Sequence, residues 1–102
     1  MEITTSLDQI VDVLKQNETK LRRLYGIERI GVFGSIVRGQ AGNESDIDLL
    51  VEFSEEAEIG LLRFIEIERY LGQLLGRRVD LVEKGALKPF LGKKILKEVV
   101  YP

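Results

Sequence analysis

Cysteine and histidine are both absent from this sequence. Without thiols there is no disulfide framework and no thiolate or zinc-thiolate chemistry. Without imidazole, the commonest general base and metal ligand is missing. Any catalysis must rest on carboxylates, hydroxyls, lysine, arginine or a bound metal. Net charge is scarce as well: 15 basic and 17 acidic residues leave −2, with the two signs mixed along the chain. That balance speaks against a bulk basic surface for nucleic acid or an anionic membrane. No apolar run approaches membrane-spanning length, and the opening "MEITTSLDQIVD" lacks the basic-then-apolar order of a signal peptide. A cytoplasmic protein is expected, with no membrane and no direct nucleic-acid partner.

What is present suits one domain over 1–102, with a thin stability margin for a core of this size. Ser6 reads as a helix N-cap, followed by Leu7, Ile10, Val11 and Leu14 at helical spacing with Asp8 in the first turn. Asn17 interrupts that pattern, and Leu21, Leu24 and Tyr25 resume it up to Gly26, giving one bent helix or two short ones. "IERIGVF" is a strand with Ile30 and Val32 on one face. Ser35 to Arg38 reads as a helical turn stopped by Gly39, and "GQAGNES" as a loop of turn formers. "DIDLLVEF" is a second strand, apolar enough to be covered on both faces. A broad apolar stripe from Leu61 to Leu75 is a core helix, "RRVDLVE" a third strand, and "FLGKKILKEVV" a last helix. The order predicts an α/β (α+β) domain with a small mixed β-sheet backed by helices.

Asp46 and Asp48 pose the chemical question. Side chains alternate along a strand, so the two carboxylates point the same way and Ile47 and Leu49 the other. At roughly 5–7 Å they repel by about 2–3 kcal/mol at an effective dielectric near 20. Water, a cationic side chain or a divalent metal could relieve this, and oxygen ligands at such spacing suit Mg²⁺ with substrate phosphates. Asp80, a lone acid between Val79 and Leu81, would join them if its strand neighbours the second. A plainer arrangement has Asp46 and Asp48 at a solvated strand end and Asp80 paired to Arg77 or Arg78. Against it, aspartate is depleted in strands, yet these acids lie in the two most apolar ones. Gly34 and Ser35 follow a strand and offer backbone N–H groups and a hydroxyl to an anion. Arg38, one turn later, could face the same anion. Together these features suit a metal-bound polyphosphate.

Gly34-Ser35, ten residues and then Asp46-x-Asp48 resembles the signature of the DNA polymerase β-like nucleotidyltransferase superfamily. "GVFGSIVRGQAGNESDIDLLVEF" resembles its minimal nucleotidyltransferase branch, and the likeness runs from "YGIERIGVFGS" through "GRRVDLVEKGALKP" to "ILKEVVYP". Where that branch often has a proline before the Ser-Asp, this sequence has Gly42-Asn43-Glu44, a difference of loop stiffness. The resemblance implies the nucleotidyltransferase fold, with Asp46, Asp48 and Asp80 as catalytic Mg²⁺ ligands. It implies triphosphate contacts from Gly34 and Ser35, and a phosphate-binding or structural role for Arg38. It also implies transfer of AMP from ATP to a hydroxyl, with Asp80 able to accept the proton. For the antitoxins that this branch includes, the resemblance implies a tyrosine of a partner HEPN-domain RNase toxin as the acceptor, and silencing of that toxin.

Two other functions fit the same residues. One is a non-catalytic antitoxin that neutralises its partner by docking. The other is a small-molecule nucleotidyltransferase of the aminoglycoside-modifying kind. Ile95, Leu96, Val99, Val100 and Tyr101 either form a docking element on the last helix or cover the domain's own sheet.

Overall fold

The computed structural model describes residues 6–40 and 45–102. The departure at Gly42-Asn43-Glu44 lies outside them. Ser6 caps the first helix: its hydroxyl accepts from the Gln9 N–H at 3.1 Å while Gln9 Oε1 accepts from the Ser6 N–H at 3.2 Å. This reciprocal pair satisfies two of the donors a helix start leaves open. Helices α1 (Leu7–Gln16) and α2 (Glu18–Tyr25) are separate, so the two-helix alternative holds. Asn17 divides them by turning its side-chain amide back to the Val13 carbonyl at 2.7 Å. Gly26, at φ +67°, ends α2 in the left-handed conformation.

Strands β1 (Ile27–Phe33), β2 (Ile47–Phe53) and β3 (Val79–Glu83) form one mixed sheet in the order β1-β2-β3. β2 runs antiparallel to β1 and parallel to β3. The parallel pair needs a crossover, which α3 (Leu61–Leu75) provides. One sheet face carries Ile30, Val32, Ile47, Leu49, Val51, Val79 and Leu81, all buried against Ile10 and Leu14 of α1, Leu21 of α2, and α3. The α3 stripe is only partly core. Ile67, Leu71 and Leu75 are fully buried, whereas Leu61 and Leu62 are 75% and 84% exposed. Four-residue spacing keeps the first three on one helix face, whereas Leu62 projects from the opposite face and Leu61 lies at the rim of the helix–sheet contact, in the opening turn. Glu68 completes the α3 contact by accepting from the Leu81 N–H at 2.9 Å, which occupies a donor on the edge strand.

Helix α4 (Pro89–Glu98) stops two residues short of the predicted end. Val99 is extended (φ −61°, ψ 135°), and Val100 pairs antiparallel with Val32 through two 2.8 Å hydrogen bonds. Two β-branched residues gain more from completing the open edge of β1 than from another helical turn. The tail also packs on the sheet's second face. There Gly31 leaves room for Val99 and Tyr101, and the Arg29 guanidinium lies 3.5 Å from the centre of the Tyr101 ring. Val99, Val100 and Tyr101 therefore belong to the domain's own sheet, while Leu96 is exposed. Among the described residues no helix is long and apolar enough to cross a membrane.

A Cβ on Gly31 would lie 2.6 Å from Val99 Cγ2 and 2.9 Å from Tyr101 Cδ1. Gly31→Ala is expected to destabilise the chain by about 1–3 kcal/mol through overpacking. Chemical denaturation followed by circular dichroism measures it, and an unchanged midpoint would refute the packing assigned to the tail.

Candidate functional site

The site begins where β1 ends. Gly34 takes φ +84°, and a Cβ there would overlap Asp48 Oδ2 and come within 2.9 Å of Asp48 Cγ. Glycine is required twice over, by the backbone conformation and by the carboxylate packed on it. The next residues turn once: the Val37 and Arg38 N–H groups donate to the Gly34 carbonyl at 3.1 and 3.2 Å, and the Gln40 N–H donates to the Ser35 carbonyl at 2.9 Å. The predicted helical turn is present, but Gly39 at φ +73° closes it before a helix develops. The backbone donors here are those of a turn, and Ser35 is half-buried at its start.

β2 starts at Ile47, one residue later than predicted, so Asp46 sits at the strand's mouth and is exposed. Asp48 stands opposite Phe33 on β1 and opposite Asp80 on β3. Residues in register on adjacent strands share a face, and such strands lie about 4.8 Å apart. Asp48 and Asp80 therefore sit side by side. Among the described residues neither Arg77 nor Arg78 forms an ion pair with Asp80. Arg77 donates instead to the Ser45 carbonyl, and the Ile47 N–H donates to the Arg78 carbonyl at 2.9 Å. Both bonds fix the start of β2.

The gathered charge is felt at Asp48. Burial pushes its carboxyl above the ordinary 3.8, the negative charges of Asp80 and Asp46 push it further, Arg38 pulls it back, and Glu98 adds a last upward push. Arg38 is half-exposed and binds Glu98, its Nη1 donating to Oε1 at 2.9 Å and to Oε2 at 3.1 Å, while its Nε donates to Gln40 Oε1 at 3.1 Å. These contacts hold Arg38 against α4 and are compatible with either of its two anticipated roles.

Among the described residues no three acidic side chains close into a finished metal cage. The donor chemistry nonetheless suits Mg²⁺. This ion takes one or two carboxylates and completes its shell with water and substrate phosphates. Half-buried Asp48, crowded by two acids, is the kind of oxygen donor that a cation stabilises.

Glu98 escapes a motif-based reading. Its Oε2 accepts from the Gly34 N–H at 2.7 Å, 64 residues away in sequence. One signal was available: it is the only acid after Glu83, in a helix carrying Lys93, Lys94 and Lys97.

The nucleotidyltransferase-domain family matches residues 14–102. The protein adenylyltransferase MntA of Thermococcus cleftensis is 50% identical over 96 residues, covering 94% of this chain and 95% of the relative. The chain belongs to the nucleotidyltransferase family. A solved structure provisionally described as a minimal nucleotidyltransferase is 35% identical, with a TM-score of 0.77 over 94% of this chain and 95% of the other. The structure of a tri-AMPylated Shewanella oneidensis HEPN toxin in complex with an MNT antitoxin contains a chain of the same fold. That match has a TM-score of 0.58 at 20% identity, over 92% of this chain and 66% of that one.

In this nucleotidyltransferase the acid-lined strand face works against stability. The folded chain holds the Asp48 proton more tightly than the unfolded chain, so below 3.8 the carboxyl costs nothing. Its cost grows as pH rises from 3.8 through the raised folded value and is constant above it. With EDTA present, Asp48→Asn should stabilise the fold at pH 7 by up to about 1 kcal/mol, a gain limited by solvent screening. The gain should vanish near pH 3, where the carboxyl is protonated in both states. Melting curves of the two proteins across that range decide it, and a destabilised variant at pH 7 would show that repulsion is not what Asp48 experiences.

Proposed function

We propose that this nucleotidyltransferase is an Mg²⁺-dependent protein adenylyltransferase. It would move AMP from ATP to a hydroxyl, that of a tyrosine, on a partner HEPN-domain toxin and so act as its antitoxin. The hydroxyl oxygen bonds to the α-phosphorus, the bond to the β-phosphate breaks, and pyrophosphate leaves. The observation that carries the reading is the register that sets Asp48 beside Asp80, with Gly34 against the Asp48 carboxylate. The 50% identity to a protein adenylyltransferase supports protein as the acceptor class. The partner is inferred from the HEPN complex that shares this fold.

Asp46 and Asp48 would hold Mg²⁺, with Asp80 as the third ligand. When bound, the metal neutralises charge that builds on the attacking and leaving oxygens. The Gly34 turn and the Ser35 hydroxyl would orient the phosphate tail through N–H and O–H donors. Asp80 is exposed and can take the acceptor's proton at a carboxylate oxygen, the natural candidate for a base in a chain with no histidine. Asp46 is exposed too. A site this open admits an acceptor presented on the surface of another protein, without a pocket built to enclose it.

Purified protein with MgATP is expected to add AMP mass to its partner HEPN-domain toxin. Asp46→Asn, Asp48→Asn and Asp80→Asn should each lower the rate by roughly 100-fold or more while remaining folded. Intact-protein mass spectrometry reads the product. Wild-type rates in the Asp48 variant would end the catalytic reading, and continued neutralisation of the toxin by all three variants would favour docking alone.

A further inference from the structure

Glu98 closes the last turn of α4, where the unpaired carbonyls and the helix dipole disfavour an acid. Its carboxylate is nevertheless engaged across the fold. It accepts from the Gly34 N–H at 2.7 Å and from Arg38 Nη1 at 2.9 and 3.1 Å. A backbone N–H and a guanidinium converging on two oxygens is anion recognition, and a phosphate oxygen would take the same donors in the same geometry. The donors lie next to Asp48, since Gly34 packs on that carboxylate.

We propose that Glu98 is a resident anion in the phosphate site. It would hold the Gly34 turn and Arg38 while no nucleotide is bound, give way to the polyphosphate tail, and so set the affinity for nucleotide. This rests on the nucleotidyltransferase reading of the same site. The single Gly34 N–H cannot serve both anions fully. A triphosphate with its cation outweighs one carboxylate because it carries more charge and meets Ser35 as well. The exchange needs no movement of the tail: Val100 is pinned to Val32 by two hydrogen bonds, so only the Glu98 side chain has to rotate. Its side chain is 22% exposed, which leaves a path toward solvent.

Isothermal titration of full-length protein with Mg²⁺ and AMP-PNP tests this. Glu98→Gln keeps the side chain's size and one acceptor but loses the charge, and should bind roughly tenfold tighter than wild type. Glu98→Asp keeps the charge but is one methylene too short to bridge Gly34 and Arg38. It should also bind tighter, whereas through-space repulsion alone would leave it at wild-type affinity and overturn the proposal. Weaker binding by both variants would overturn it too, making Glu98 a support for the site and not its occupant. If Glu98→Gln fails to fold, the Asp variant decides alone. Wild-type binding reports separately on the nucleotidyltransferase function. With no wild-type or variant binding both readings fail, and with wild-type binding but no gain only the placeholder does.

Discussion

The register of β2 between its two neighbours is the constraint on which the site depends. Because side chains alternate, a slip of one residue against β3 would turn Asp48 into the helical layer and bring Leu49 out beside Asp80. Complete burial of Ile47, Leu49 and Val51 blocks that slip, since each would exchange a packed environment for water. The core thus does more than hold the sheet together. It sets which side chains meet on the opposite face, and the carboxylates inherit their positions from apolar residues one step along the chain.

That inheritance has a cost, and the chain concentrates it at one point. Asp48 is half-buried, flanked by Asp80 and Asp46, and covered by a glycine whose missing side chain leaves space for its carboxylate. Repulsion among like charges and a left-handed backbone turn both weaken a small domain. A fold selected for stability alone would place neutral residues here. The concentration of unfavourable terms around one residue of the central strand is itself a mark of function.

Much of this was legible in the sequence. Helical spacing located α1, α2 and α3, and the short apolar runs located all three strands. The Gly-Ser turn with two alternating aspartates pointed to the site because each feature is local and each has a chemical reason. Three things were not legible, and they share a cause. The end of α4, the pairing of Val100 with Val32, and the contact from Glu98 to Gly34 all depend on residues more than 60 positions apart. "KEVV" is as compatible with helix as with strand until a partner edge exists, and only the folded β1 supplies one. The exposure of Leu61 and Leu62 has a related origin. An apolar stripe this broad contains more positions than one helix face can bury, and only the packed sheet shows which of them face it.

The C-terminal segment ties these themes together. Within four residues it gives Glu98 to the Gly34 turn, Val99 and Tyr101 to the surface over Gly31, and Val100 to the edge of β1. β1 therefore meets the tail at Gly31 and Val32, just before the turn that packs on Asp48. The tail anchors the backbone that leads into the site, and its only acid contacts the first residue of the turn. Local opening of the tail would free the edge of the strand that leads into the Gly34 turn. Rotation of the Glu98 side chain alone leaves that edge paired, so the Gly34 contact and the pairing of the tail can open separately.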